Sequence, residues 1–241
     1  MRHVLALMAT QAVLSLPGAG AGLFDWDKLI YRVEWRLVPA GTVVVEPGAT
    51  EGRIRLQSGG VLSALFKVET KYTVHYADDY CATGSTFDAV EGKRHRQTIV
   101  TYDRDHRQAS YVQRDLVNNA VLRSGQTEIP ECPHDMLGGL LLLRGGRLEP
   151  GQSTHVTLSD GRRTAQVKVE AQEREEITTP AGMVKTIRYE ADIFNGVIYM
   201  RKGRAFIWVT DDAERIPVEI KLRLAFPIGT VTLDLEKQEH P

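Results

Sequence analysis

The sequence predicts an all-β protein whose antiparallel strands form a curved or barrel-like sheet together with one short helix. Apolar and polar residues alternate with a period of two along most of the chain, most clearly over residues 28–37 and 67–76, as in half-buried strands. Turn-forming pairs such as Asp160-Gly161 separate the alternating segments. After residue 21, only one apolar stretch has the length of a helix, whereas parallel strands would need many helices as crossovers.

Residues 1–21 have the features of a cleavable export signal. A basic start precedes an apolar run over residues 4–16, and small residues follow at Ala19 and Ala21. The run is too short to span a bilayer, and a buried N-terminal helix, the alternative, would be ended by Pro17. We therefore expect cleavage after Ala21 and a mature protein that is soluble and periplasmic or otherwise exported.

The first half of the mature chain, residues 22–150, is expected to contain a series of hairpins and the single helix. The helix is predicted over residues 134–144, where Pro133 precedes a leucine-rich stretch and Gly145-Gly146 ends it. Residues 61–66 fit one further helical turn. The predicted strands of this half cover residues 28–37, 43–45, 53–56, 67–76, 85–90, 94–102 and 108–116.

The second half, residues 151–241, is expected to consist of strands alone. Pro150-Gly151 is the best place for a division between the halves, although we expect both to belong to one continuous β domain. The predicted strands cover residues 154–158, 163–170, 184–194, 205–209, 217–224 and 230–235.

Composition and charge argue against two classes of partner. The 30 basic and 31 acidic residues are interspersed and give a formal net charge of −1, so no field of one sign attracts nucleic acid. After the signal, no stretch approaches the roughly 20 apolar residues of a membrane helix. We expect neither nucleic-acid binding nor a transmembrane segment in the mature chain.

The two cysteines, Cys81 and Cys132, predict a disulfide, because an isolated pair in an oxidising compartment is more often bridged than bound to metal. The bridge would stabilise the fold by roughly 4 kcal/mol through chain entropy. An alternative is a metal bound by Cys132, His134 and Asp135. Zinc sites usually have more spaced ligands than this, so we predict no metal and no cofactor.

Five aromatic residues on predicted strands are the candidate ligand-binding residues. On the concave side of a bent sheet they could hold an acyl chain or stack against a sugar. Ordinary packing in the core explains the same residues, and this alternative remains open. The five residues are Tyr31, Trp35, Tyr72, Tyr76 and Trp208.

Signatures of catalysis are missing from the sequence. It contains neither the His-Glu-x-x-His nor the Gly-x-Ser-x-Gly motif. Asp211 and Asp212 could bind Ca²⁺ or act as acid and base, but a solvated turn explains them equally well. No catalytic residue is predicted, and a non-enzymatic role is favoured.

Four short segments together resemble the exported bacterial family known only as domain of unknown function 3108 (DUF3108). The resemblance implies an exported β-rich fold and supplies no reaction or catalytic residue. The segments are Tyr31–Trp35 with Ala40-Gly41-Thr42, the block from Asp135 to Arg144, Gly182–Thr186, and Ile207–Asp212 followed by Arg215–Val218.

Two hypotheses of function follow from the sequence. The first is a non-enzymatic envelope protein that binds a lipid, a glycan or a protein partner through a curved β surface. The alternative is a hydrolase that acts on cell-envelope material, and a purely structural or assembly factor is a third possibility.

Overall fold

The computed structural model describes residues 28–65, 67–180, 182–193 and 202–239. The predicted signal peptide, residues 1–21, lies outside these ranges. Within them the protein is built from antiparallel β-strands that form one curved sheet, which confirms the predicted fold class. Alternation of buried and exposed side chains along the strands produces this arrangement, because one face of each strand is apolar.

Fourteen strands are present among the described residues. They are β1 (Lys28–Trp35), β2 (Val38–Glu46), β3 (Glu51–Ser58), β4 (Val68–Tyr76), β5 (Ala82–Glu91), β6 (Arg94–Asp103), β7 (Gln108–Asp115), β8 (Ala120–Glu128), β9 (Ser153–Ser159), β10 (Thr164–Thr179), β11 (Gly182–Ala191), β12 (Gly203–Thr210), β13 (Pro217–Leu224) and β14 (Gly229–Glu239).

The strand order places the two ends of the described chain in the middle of the sheet. The order is β8-β7-β6-β5-β4-β3-β2-β1-β14-β13-β12-β11-β10-β9. β1 pairs with β14, from Lys28 opposite Glu239 to Trp35 opposite Val231, and this pairing joins the two halves. β8 and β9 are therefore the two edges of the sheet, and the segment between them carries the helix.

Irregular pairing accounts for the curvature of the sheet. Six of the thirteen strand pairs among the described residues contain a register shift. Each such bulge bends its strand and increases the local right-handed twist. One of them lies between Val33 and Glu34, opposite Gly41. A Cβ atom at Gly41 would lie 2.1 Å from the carbonyl oxygen of Gln57, so glycine is required there.

The described residues contain two α-helices, α1 (Gly60–Leu65) and α2 (Met136–Gly146), and a short 3-10 helix, Asp78–Tyr80. α2 begins two residues later than predicted, because Asp135 and not Pro133 supplies the N-cap. Its end is also later, since Gly145 and Gly146 belong to the helix and Arg147 adopts the left-handed conformation as C-cap. Among the described residues no helix has both the length and the apolar character needed to cross a bilayer.

Three clusters of buried side chains hold the sheet and α2 together. The central core joins β1, β2 and β12–β14 around Tyr31 and Trp208. The N-terminal core packs β4–β7 against Leu137 and Leu141 of α2. The C-terminal core packs β9–β12 against Leu143 of the same helix. α2 thus lies between the two halves of the sheet.

The structure contains one strand that the sequence does not predict. β8 (Ala120–Glu128) is absent from the strands expected from sequence, because nearly all of its side chains are exposed and show no apolar face. The proposed division at Pro150-Gly151 stays a prediction, although one hydrogen-bonded sheet includes strands from both sides of it.

Candidate functional site

A cavity of about 860 Å³ is lined mainly by strands of the C-terminal half and by α2. Its walls are mainly leucine, isoleucine, valine and alanine side chains, and its volume falls in the range of roughly 300–1,000 Å³ that ligand sites occupy. The strand residues that line it alternate along each strand, as expected for one face of a sheet. They include Val156 and Leu158 of β9, Val167 and Val169 of β10, Ala205 and Ile207 of β12, and Ile220, Leu222 and Leu224 of β13.

α2 forms the opposite wall of the cavity. Its lining residues are Met136, Gly139, Leu140 and Leu143, a spacing that places them on one helical face. The helix approaches β9 closely at Gly139, where a Cβ atom would lie 2.6 Å from Cδ2 of Leu158. The cavity therefore depends on the position of α2.

Asp135 fixes the N-terminus of α2. Its buried carboxylate accepts hydrogen bonds from the backbone N–H groups of Leu137 and Gly138 at 3.1 and 2.8 Å, as an N-cap does. It also accepts hydrogen bonds from the hydroxyl groups of Tyr72, at 2.8 Å, and Tyr76, at 3.0 Å. Both tyrosines belong to β4, so one carboxylate ties α2 to the N-terminal half of the sheet.

Burial and this carboxylate change the acidity of the tyrosines. Burial raises the pKa of Tyr72 well above its ordinary value, and the negative charge of Asp135 raises it further. The pKa of Tyr76 is raised by the same two causes in the same order. The pKa of Tyr102, whose hydroxyl donates to the carbonyl of Ser159 at 3.1 Å, is raised mainly by burial. These phenols are neutral donors at physiological pH.

The disulfide holds the segment that leads into α2. Cys81 and Cys132 are bonded, with Cα atoms 4.9 Å apart, and the N–H of Ala82 donates to the carbonyl of Pro133 at 2.8 Å. The backbone of His134 then pairs with β9, donating to Thr157 and accepting from Ser159. The predicted disulfide is therefore present, and it joins the start of β5 to the start of α2.

The alternative metal site of Cys132, His134 and Asp135 is not assembled. Both sulfur atoms and a ring nitrogen of His134 lie within 4.8 Å of one another, but the sulfurs are bonded to each other. Nε2 of His134 lies 3.0 Å from the carbonyl oxygen of Asp79, which can only accept, so this nitrogen carries a proton. The carboxylate of Asp135 is occupied by tyrosines and helix N–H groups.

The model of a family described as proteins of unknown function, DUF3108, matches residues 30–236. The chain belongs to DUF3108. The match includes every strand that lines the cavity and the whole of α2.

Solved structures resemble this DUF3108 protein in fold. A β-barrel-like protein of domain of unknown function DUF1849 from Brucella abortus has 10% sequence identity and a TM-score of 0.56, covering 89% of this chain and 97% of that chain. This similarity shows the fold alone. No curated protein matches the DUF3108 chain in sequence.

Two further structures are less similar. A DUF1089 family protein from Pseudomonas aeruginosa has 11% identity and a TM-score of 0.40, covering 76% of this chain and 90% of that chain. A protein of Parabacteroides distasonis provisionally named a lipoprotein has 8% identity and a TM-score of 0.33, covering 90% and 96%. At these TM-scores neither structure gives information on the fold or the function of this DUF3108 protein.

The five aromatic residues chosen from the sequence lie in or against the packed cores, and none lines the cavity described above. Tyr31 is buried and its hydroxyl donates to the carbonyl of Pro217 at 2.8 Å. Nε1 of Trp35 donates to Ile228 at 2.7 Å, and Nε1 of Trp208 donates to Glu175 at 2.7 Å. Tyr72 and Tyr76 meet at Asp135. A direct role of these five in binding stays a prediction.

The acidic pair is part of a turn between β12 and β13. Oδ1 of Asp212 accepts from the hydroxyl of Thr210 and from the N–H groups of Glu214 and Arg215. Oδ2 of Asp211 accepts from Nε of Arg174 at 2.8 Å. Both carboxylates are bound by groups of the protein itself, as expected for a turn.

The residues that line the cavity are not among the candidate site residues that the sequence indicates. Their signal was present, because Ile220, Leu222 and Leu224 alternate with Glu219, Lys221 and Arg223. The same pattern is typical of a strand packed against a full core, so it indicates an apolar face without revealing the space beside it.

Proposed function

We propose that this DUF3108 protein is an exported, non-enzymatic envelope protein that binds the acyl chain of a lipid in the cavity between α2 and the C-terminal strands. The observation that carries this proposal is the combination of size and lining. About 860 Å³ of space is lined mainly by apolar side chains from β9, β10, β12, β13 and α2, and burial of a hydrocarbon chain against such a surface removes it from water.

The lining favours a lipid over a glycan. Sugars are bound by stacking on aromatic rings and by many polar groups. Tyr111 is the one aromatic side chain among the described residues that line the cavity, and the lining contains no Asn, Gln, Asp or Glu within the same ranges. The walls offer hydrocarbon contacts instead.

The same lining disfavours the hydrolase alternative. Hydrolysis of an ester or amide needs a nucleophile or an activated water beside a general base. The described lining contains no Ser, Thr, Cys, His, Asp or Glu. Its ionisable groups are one tyrosine and three arginines, and neither type serves as a base at neutral pH.

The support around α2 fits a preformed binding site. The disulfide and Asp135 fix the start of the helix, and Leu137 and Leu141 pack into the N-terminal core. A rigid wall reduces the conformational entropy lost on binding. The disulfide and the sequence of residues 1–21 both support an oxidising, exported setting.

Substitution inside the cavity tests the proposal. Leu222→Trp places a larger side chain into the lined space, whereas Arg223→Trp, the next residue of β13, makes the same change on the exposed face. Binding of a fluorescent fatty-acid probe should weaken at least tenfold in Leu222→Trp and should stay unchanged in Arg223→Trp. Circular dichroism and thermal unfolding verify that both variants fold. Equal binding by both folded variants would place the probe outside this cavity.

A further inference from the structure

The charged residues that line the cavity are all arginines. Arg123, Arg162 and Arg163 belong to the lining, and no acidic residue does so within the described ranges. All three are exposed to solvent while the apolar lining of β9 and β10 is buried. They therefore lie where the cavity meets water, and the hydrocarbon walls lie deeper.

These arginines come from both edges of the sheet. Arg123 belongs to the edge strand β8, and Arg162 and Arg163 occupy the turn between β9 and β10. A side-chain contact near them ties the edges together, because the hydroxyl of Thr164 donates to the carbonyl of Glu128 at 3.1 Å. The opening is thus formed only when the curved sheet brings its two ends near each other.

One of the three guanidinium groups at the opening has no carboxylate partner among the described residues. Arg162 pairs with Asp160, whose Oδ2 lies 2.9 Å from Nη2. The side chain of Arg123 has no hydrogen-bond or ion-pair partner among the described residues. The guanidinium group of Arg123 therefore leaves a positive charge at the opening that no carboxylate of the described residues neutralises.

We propose that the lipid bound in the cavity has an anionic head group, a carboxylate or a phosphate, that contacts Arg123, Arg162 and Arg163 at the opening. This inference rests on the proposed function, because the arginines select the head only if the chain occupies the cavity. Guanidinium groups bind carboxylates and phosphates through paired N–H donors. An apolar interior with a cationic opening fits an amphiphile with one anionic end.

Four single-chain probes of equal chain length test the choice of head group by calorimetry. They carry a carboxylate, a phosphate, a hydroxyl or a trimethylammonium group. We expect the two anions to bind about tenfold tighter than the alcohol. This ratio corresponds to roughly one charge-assisted hydrogen bond at a partly exposed site. The cation should bind more weakly than the alcohol, and added salt should reduce the differences in affinity between the charged probes and the alcohol.

A triple variant and a matched control identify the groups responsible. Arg123→Gln, Arg162→Gln and Arg163→Gln together should remove the preference for anions and leave the affinity for the alcohol unchanged. Arg53→Gln, Arg55→Gln and Arg94→Gln change the net charge equally at exposed positions outside the lining, and this control should keep the preference.

The outcomes separate the two proposals. Equal affinity for anion and alcohol overturns the head-group inference and leaves acyl-chain binding intact. Binding of none of the four probes overturns the proposed function and this inference with it. Loss of the preference in the control shows an effect of net charge alone and overturns the inference. Displacement of the anionic probe by inorganic phosphate at equal concentration would show that the arginines bind free phosphate. This result also overturns the head-group inference.

Discussion

The hydroxyl group of Tyr76 donates a hydrogen bond of 3.0 Å to Oδ1 of Asp135, although 59 residues separate them along the chain. The same oxygen accepts the N–H of Gly138 at 2.8 Å, so one buried atom links β4 to the first turn of α2. Because α2 is a wall of the cavity, this contact connects the N-terminal half of the sheet to the proposed binding site.

Replacement of Asp135 by Ala should lower the free energy of unfolding by about 3 kcal/mol. The variant leaves two buried tyrosine hydroxyls and two helix N–H groups without an acceptor, and each such loss is costly. Denaturant unfolding measures the change. Asp105→Ala removes an exposed carboxylate from a turn and should stay within about 0.5 kcal/mol of the parent. Equal stability of both variants would show that Asp135 has no structural role.

Alkaline pH should destabilise the protein through its buried tyrosines. Burial raises the pKa of Tyr31, Tyr72, Tyr76 and Tyr102 above the ordinary value of about 10. The unfolded chain therefore releases protons that the folded chain retains, so stability is unaffected below pH ~10 and falls as the pH rises beyond it.

The ultraviolet absorbance of tyrosinate follows this transition directly. The four tyrosines should ionise only together with loss of the circular dichroism signal of the folded protein. Tyr76→Phe removes one of these groups and should reduce the absorbance change that coincides with unfolding. Ionisation of all tyrosines in the still-folded protein would contradict the buried network around Asp135.

Removal of the disulfide should lower the free energy of unfolding by about 4 kcal/mol. The bridge spans a sequence separation of 51 residues, and a loop of that length constrains the unfolded chain by roughly this amount. Denaturant unfolding of Cys81→Ala/Cys132→Ala measures the loss. A reductant should destabilise the parent and leave the double variant unchanged. Peptide mapping of the mature protein that finds both thiols free would count against the bridge.

Secretion should remove the chain through Ala21. The basic start, the short apolar run and the small residues before the cut motivate this prediction. Sequencing of the N-terminus of protein recovered from its native envelope should begin at Gly22. An intact Met1 on the envelope protein would refute both the cleavage and the export that depends on it.

The strands that the sequence predicts best are those with one apolar face. The alternation of apolar and polar residues predicts β4 over residues 67–76, and the strand spans Val68–Tyr76. The prediction succeeds because only one side of this strand is buried. β8 carries no such signal, since most side chains of Ala120–Glu128 are exposed. Its existence depends on hydrogen bonds to β7, which local sequence does not encode strongly.

The candidate site was harder to predict than the fold. The alternation of Ile220, Leu222 and Leu224 on β13 indicates an apolar face, but the space beside that face depends on how far α2 lies from the strands. The neighbours of Asp135 in sequence indicate only an alternative metal site. Its partners Tyr72 and Tyr76 lie 63 and 59 residues away, and only the folded chain brings them together.

Native mass spectrometry of the mature protein recovered from its own envelope tests acyl-chain binding most directly. We predict one lipid bound per chain in the parent and in Arg223→Trp, and none in folded Leu222→Trp, because only the last substitution fills the cavity. A parent protein that carries no lipid, or a Leu222→Trp protein that carries the same lipid as the parent, would contradict the proposed function.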